Sequence, residues 1–355
     1  MSWVALEAKE NLVSGTSKPL HLVMMFVAFT VIATIVDLMI VQDITNEAYK
    51  YRDSGASTFT VTSPGRVNGE VCDQLSKLPS IIASGAIRIE EEPLETIVLP
   101  RGPIASYVVS EGALGVFDVE DSGQVGLFLS STVASTLGVS SGYPLLLKTG
   151  TAQVQGTYHW PSDGRRPGFD YAALIPIPSQ SLFDECWVKA WPIPENIQIL
   201  LRLTVNAPNG DMQIKTDYSQ VNTTLGTQFT GYTKLHQRVT QHAPSFTLIL
   251  GIINGIVLVW ARRLELASVQ HVGVSWPAQL WQLIIEHGIC LLVGSSIVLA
   301  IDAVVINHLL PMDMDTLWEI AARVLLCGFF GVLLGTVIGS HRIKANNLSR
   351  YFKAR

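Results

Sequence analysis

Four apolar runs, each long enough to cross a bilayer, are spread unevenly along the 355 residues, with one near the start and three crowded into the last third. A bilayer core takes ~20 consecutive apolar residues as a helix, and in hydrocarbon each backbone N–H and C=O must be satisfied within the segment or a closed barrel. The runs therefore predict spanning helices at 19–42, 244–261, 278–305 and 317–340. The interval 43–243 has no such run and is rich in Gly, Pro, Ser and Thr with short alternating stretches. It predicts a folded domain outside the membrane, large enough for its own core. The expected fold class is thus an α-helical membrane protein with four transmembrane helices and a large α+β extracytoplasmic domain inserted between helices 1 and 2. Composition agrees, at 48% hydrophobic and 15% charged residues. A net charge of −5 offers no basic surface for nucleic acid.

Charge sorting orients the helices. The tail 341–355 carries Arg342, Lys344, Arg350, Lys353 and Arg355, whereas the loop 306–316 carries acids and no Lys or Arg. The positive-inside rule places 1–18, the elbow 262–277 and the tail in the cytosol, in a plasma or inner membrane. In 1–18, Trp3, Leu6, Glu10 and Leu12 recur at near-helical spacing and predict an amphipathic helix on the membrane surface, against the alternative of a polar leader. The first run has no Ala-x-Ala site behind it, so it reads as an uncleaved anchor. Its Asp37 is open to two readings, a solvated or capping acid at the outer interface or a member of a substrate path. Met24 and Met25 are equally open, as packing or lipid-facing methionines or as a pliant ligand surface. Residues 234–242 form a polar helical lead-in to the second run, where Gly251, Asn254 and Gly255 offer close helix approach, to a second copy or by coincidence of spacing. In the last helix Glu319 and Arg323 are spaced to pair, and Gly331, Gly335 and Gly339 make one smooth packing face.

Within 43–243, strands are expected at 57–62, 86–89, 96–99, 106–109, 125–129, 143–147, 152–156 and 199–205, and a helix at 71–78. Gly138 is placed to cap a helix and Gly142 to turn the chain. Arg165 and Arg166 form either an anion grip or a solvated turn, and Glu90, Glu91, Glu92 and Glu95 either an acid-base group or a solvated face. Trp160, Trp187 and Trp191 suit a hydrophobic recess or ordinary core packing. Four cysteines show no metal-ligand spacing. Cys290 and Cys327 lie in apolar runs as packing residues, while Cys72 and Cys186 fall outside the cytosol, where a disulfide persists if the fold brings them together.

Two stretches carry a family resemblance. The elbow, with Arg262, Arg263, Glu265, Gly273, Ser275 and Glu286, resembles the coupling loop of FtsX/MacB-like ABC transporter permeases, the four-helix type VII class. Residues 127–158, with Leu137, Gly138, Val139, Gly142 and Gly156, resemble the periplasmic core of the same family. The resemblance implies a non-catalytic permease subunit, a homodimer within a 2+2 complex with an ABC ATPase subunit that binds ATP and Mg. It also implies contact with membrane lipid, and an external lipoprotein, hydrolase or outer-membrane partner. It points to Arg262, Arg263, Glu265, Leu266, Val269, Gly273, Val274 and Glu286 as the ATPase-coupling residues. The chain has no Gly-x-x-x-x-Gly-Lys-Ser/Thr loop, so the nucleotide is expected in a partner and no cofactor in this chain. Efflux of a hydrophobic, haem-like, peptide or lipid-like substrate is one expectation. The alternatives are an FtsX-like scaffold that activates a cell-wall hydrolase and a receptor without an ATPase. An enzyme is disfavoured, since Gly-x-Ser-x-Gly and His-Glu-x-x-His are absent.

Overall fold

The computed structural model describes residues 2–15, 17–119, 126–207, 216–308, 314–344, 348 and 351, without the side chains of residues 2, 3 and 5. The expected roles of Trp3, Val125, Arg350, Lys353 and Arg355, and residues 309–313 of the loop 306–316, fall outside that description. The chain divides into a helical unit, Met1–Asn46 with Thr230–Arg355, and a sheet unit, Glu47–Phe229.

Along the chain run α1 (Ser2–Val13), α2 (Pro19–Asp53), β1 (Thr58–Asn68), α3 (Gly69–Gln74), β2 (Ile81–Ile89), β3 (Ala105–Ser110) and α4 (Ala113–Val116). There follow β4 (Leu127–Ser130), α5 (Ser131–Leu137), β5 (Pro144–Leu147), β6 (Gly150–Tyr158), β7 (Ala172–Ile177), β8 (Leu182–Ala190), α6 (Ile197–Leu203) and β9 (Asp217–Gln220). The chain then returns to helices: α7 (Gly231–Gln237), α8 (Ala243–Ala261), α9 (Arg263–His271), α10 (Trp276–His308) and α11 (Met314–His341). Four helical stretches, Pro19–Asp53, Gly231–Ala261, Trp276–His308 and Met314–His341, are long and apolar enough to span a bilayer. The protein is a multi-pass membrane protein with a mixed α/β unit inserted after its first spanning helix.

The spanning helices are longer than their apolar runs. Helix α2 continues to Asp53, and α10 begins at Trp276 and ends at His308. Backbone hydrogen bonding propagates cheaply once a helix is started, so polar residues at the ends join it. The lead-in at 234–242 is broken at Arg238, whose extended backbone (φ −63°, ψ 135°) separates α7 from the 3-10 turn Val239–His242. This lead-in belongs to the helical unit, and the sheet unit ends at Phe229.

The glycines of α8 and α11 face each other within one chain. A methyl group on Gly255 would lie 2.3 Å from the Val332 carbonyl oxygen, and one on Gly335 would lie 2.1 Å from that of Ile252. Gly251 meets the Gly328 and Gly331 backbone in the same way, and Gly339 lies more loosely against the Val259 side chain. The small residues let two backbones touch, and Thr247 adds a hydrogen bond to the Val324 carbonyl at 3.1 Å. The Gly251/Gly255 face is therefore taken up by the chain's own last helix instead of a second copy. Helix α1 packs on α10, with Val4 and Ala8 buried and Leu12 half-buried against the same core, while Leu6 is exposed.

In the sheet unit the described strands form one sheet in the order β5-β6-β4-β7-β3-β2-β8-β1-β9. Neighbours are antiparallel except for the pairs β3/β7 and β4/β6. Strand β8, LFDECWVKA, is covered on both faces. Trp187 joins an aromatic cluster with Phe117, Tyr158, Trp160 and Phe169, and Cys186 and Val188 join an aliphatic one with Val61, Cys72 and Phe183. With a side-chain period of two and both faces buried, β8 has no polar alternation to announce it. Cys72 and Cys186 form a disulfide between α3 and β8, with Cα atoms 5.9 Å apart. Gly138 caps α5 in the left-handed conformation (φ +65°), and Gly142 (φ +88°) turns the chain into β5.

Two strand expectations fail. Residues 197–203 form helix α6, because burying Ile197 and Leu201 on one face satisfies a period of four while Ile199 and Leu203 stay exposed. Residues 96–99, hemmed by Pro93 and Pro100, make only an isolated bridge from Thr96 to Leu147.

Candidate functional site

The polar residues of the helical unit converge where α8 turns into α9 and α10. Helix α8 ends when Arg262 leaves the helical backbone region, and α9 restarts at once, with Leu266 N–H bonded to the Arg262 carbonyl at 3.0 Å. Gly273, at φ +107°, ends α9 in a conformation only glycine takes without strain, and Val274 N–H reaches back to the Val269 carbonyl at 3.2 Å. Pro277 then stands in the first turn of α10, where its missing N–H costs nothing. The result is a short helix between two spanning helices.

Its inner side is tied down by buried charge. Arg262 donates through Nη1 to Glu286 Oε2, and through Nε and Nη2 to the two oxygens of Glu265 at 3.1 and 2.6 Å. Glu286 is fully buried and also accepts from Asn11 Nδ2 at 2.8 Å and Gln282 Nε2 at 3.1 Å. Burial works against the charge on Arg262, but Glu265 and Glu286 outweigh it and raise its pKa above the ordinary guanidinium range. Gln279 donates to the Leu266 carbonyl at 2.7 Å and accepts from Gln270 at 3.0 Å, and Gln270 also reaches the Ile343 carbonyl after α11. Next to Glu286 in the chain, His287 Nδ1 meets Thr336 Oγ1 at 2.7 Å. That hydroxyl also lies 2.8 Å from the Val332 carbonyl. Residues from α1, α8, α9, α10 and the end of α11 thus meet in one bonded cluster.

The chain matches no family model, and no curated protein is similar to it. Part of the chain is similar to several solved structures. One is the periplasmic region of MacB from Actinobacillus actinomycetemcomitans, at 11% identity and TM-score 0.35, over 50% of this chain and 94% of that one. Another is the extracellular domain of the noncanonic ABC-type transporter YknZ from Gram-positive bacteria, at 14% identity and TM-score 0.30, over 46% of this chain and 100% of that one.

The eight elbow residues singled out from sequence divide into two sets. Arg262, Leu266 and Glu286 point inward and are buried, whereas Gly273 is exposed and Arg263, Glu265, Val269 and Val274 are half-buried. The most exposed apolar side chain of the elbow is Val272, at 86%. Asn11, Gln270, Gln279 and Gln282 were not singled out. Gln279, Gln282 and Glu286 stand three and four residues apart on one face of an otherwise apolar run, a stripe that was there to be read.

The remaining candidates are dispersed. Met24 and Met25 face outward from the helical unit. Asp37 is buried, not solvated, and accepts from Arg238 Nε at 2.8 Å. In the sheet unit Arg165 pairs with Asp163 and Arg166 with Glu185, so neither stands ready for an anion. Glu90, Glu91 and Glu92 are exposed, and Glu95 pairs with Lys148. A cleft of about 340 Å³ beside Trp160 is lined by Arg52, Arg165, Lys189, Asp53 and Asp118, whose cations are all paired with acids.

Proposed function

We propose that the chain is the membrane subunit of an ABC transporter, resembling FtsX/MacB-like permeases, and that it couples ATP hydrolysis in a separate ATPase subunit to movement of its extracytoplasmic unit. The observation that carries this reading is the elbow, a short helix bonded on its inner side to α1, α10 and the end of α11, with Val272 and Gly273 left outward. A load applied to the outward side is passed to the bundle through Arg262 and Glu286, because a bonded buried pair resists separation more than an apolar contact does. Arg263, Glu265, Val269, Gly273 and Val274 form the ATPase-facing surface, and Arg262, Leu266 and Glu286 transmit. The basic elbow and tail lie in the cytosol with both termini. Two copies with two ATPase subunits complete the machine, whose ATP and Mg sit in the partner. Its cargo is hydrophobic, haem-like, peptide or lipid-like and leaves from the membrane or the outer space.

The test is affinity purification of the full chain in mild detergent from its native host, with co-purifying ATPase activity as the readout. The Val272→Asp variant changes an exposed side chain and leaves the bundle intact. Loss of the ATPase from this variant, with retention in the wild type, supports the reading. Absence of ATPase activity in every nucleotide state overturns it and leaves the scaffold and receptor alternatives.

A further inference from the structure

At the end of the bundle away from the elbow, one acid has no partner. Asp302 of α10 is fully buried, and neither of its carboxyl oxygens has a hydrogen-bond partner among the described residues. Its level follows from the packing of α10 along α2. Gly294 lies against Phe26 and Val27, and further along Ile306 shares a cluster with Leu38 and Val41. The two helices run the same way, so Asp302, one turn before Ile306, stands level with Thr34, one turn before Leu38. The hydroxyls of Thr30 and Thr34 are also buried without partners.

The charges around that end are otherwise committed. Asp37 is bonded to Arg238, and Glu319 to Arg323. Asp43, Lys234, His308 and Asp315 are exposed. Residues 309–313 contain no Lys, Arg or His. A buried carboxylate without a counter-ion carries the full desolvation cost of its charge, whereas a protonated carboxyl carries only that of a polar group and can donate to a neighbour. The cheaper state is the neutral acid.

We propose that Asp302 is a proton-binding site whose occupancy follows the packing of the bundle. In the packed state the carboxyl keeps its proton. When α2 and α10 part enough to admit water, the O–H bond breaks, the proton passes to water as hydronium and a hydrated carboxylate remains; repacking reverses the step. The inference does not rest on the ATPase reading, since it follows from burial and charge alone.

Infrared difference spectroscopy on the full chain in lipid nanodiscs tests it. At neutral pH the wild type shows the C=O stretch of a protonated carboxyl that shifts in heavy water, and Asp302→Asn loses that band. Asp302→Glu keeps the acid and moves the band, which holds the assignment if the Asn variant fails to fold. Thermal unfolding against pH gives a second readout. The packed state binds the proton more tightly than the unfolded chain, so wild-type stability falls with rising pH relative to Asp302→Asn. Parallel pH curves for the two, a missing band, or a band that appears only after sodium, potassium and divalent ions are removed would each overturn the proposal, the last by assigning the site to a metal cation.

Discussion

The two ends of the helical unit bury acids in opposite ways. At the elbow Glu286 accepts from Arg262, Asn11 and Gln282, so its charge is matched and its lone pairs are used. At the other end, among the described residues, Asp37 accepts from Arg238 and Asp302 has no hydrogen-bond partner. A saturated pair fixes the elements that supply it, and an unsaturated acid leaves its elements free to part. The elbow end is thus built to hold together and the far end to change, with the glycine seam of α8 and α11 running between them.

The comparison breaks first at Glu286. Replacing it with Ala leaves the buried Arg262 charge only the half-exposed Glu265, strips Asn11 and Gln282 of their acceptor, and should cost about 3–5 kcal/mol. The measurement is thermal or denaturant unfolding of the purified protein. Replacing Arg262 and Glu286 together with Met should recover much of that loss, because no fully buried charge is then left unpaired and the half-exposed Glu265 can turn to water. If the double variant is as unstable as the single one, the pair is not what holds the elbow.

A smaller loss is expected at the far end. Arg238→Ala removes one charged hydrogen bond and leaves the buried Asp37 without it, where Glu286→Ala disrupts three bonds at once, and should cost roughly 1.5–3 kcal/mol. An equal loss for Arg238→Ala and Glu286→Ala would erase the contrast between the ends. Between them, Gly255→Ala places a methyl group against the Val332 carbonyl and should cost about 1–3 kcal/mol through backbone displacement. Because that seam lies within one chain, the variant should lower the unfolding midpoint without shifting the oligomeric state on size-exclusion chromatography.

How much of this was written in the sequence depends on whether the cause is local. The spanning helices were legible because the bilayer imposes a length and a polarity on contiguous residues, and Gly138 was legible because a left-handed cap is a property of one residue. Strand β8 was not, since burial on both faces removes alternation, and IQILLRL in α6 is too short for its period to separate helix from strand. Glu286 and Arg262 stood out as charges beside apolar runs, but their inward direction depends on the helices around them. Asn11 meets Glu286 across 275 residues, and nothing nearer in the chain points to that bond.

The smallest expected effect sharpens the comparison by showing what kind of charge matters. Glu319 and Arg323 on α11 form an ion pair one turn apart, as their spacing predicts, but their side chains keep 60% and 67% of their exposure. Water already solvates both groups, and holding two long side chains together costs rotamer entropy, so the pair should contribute no more than about 0.5 kcal/mol. Glu319→Gln should therefore leave the unfolding midpoint almost unchanged and insensitive to salt. A loss as large as that of Arg238→Ala would mean that this face of α11 is covered in the assembled protein, and the far end would then be held by a contact outside the single chain.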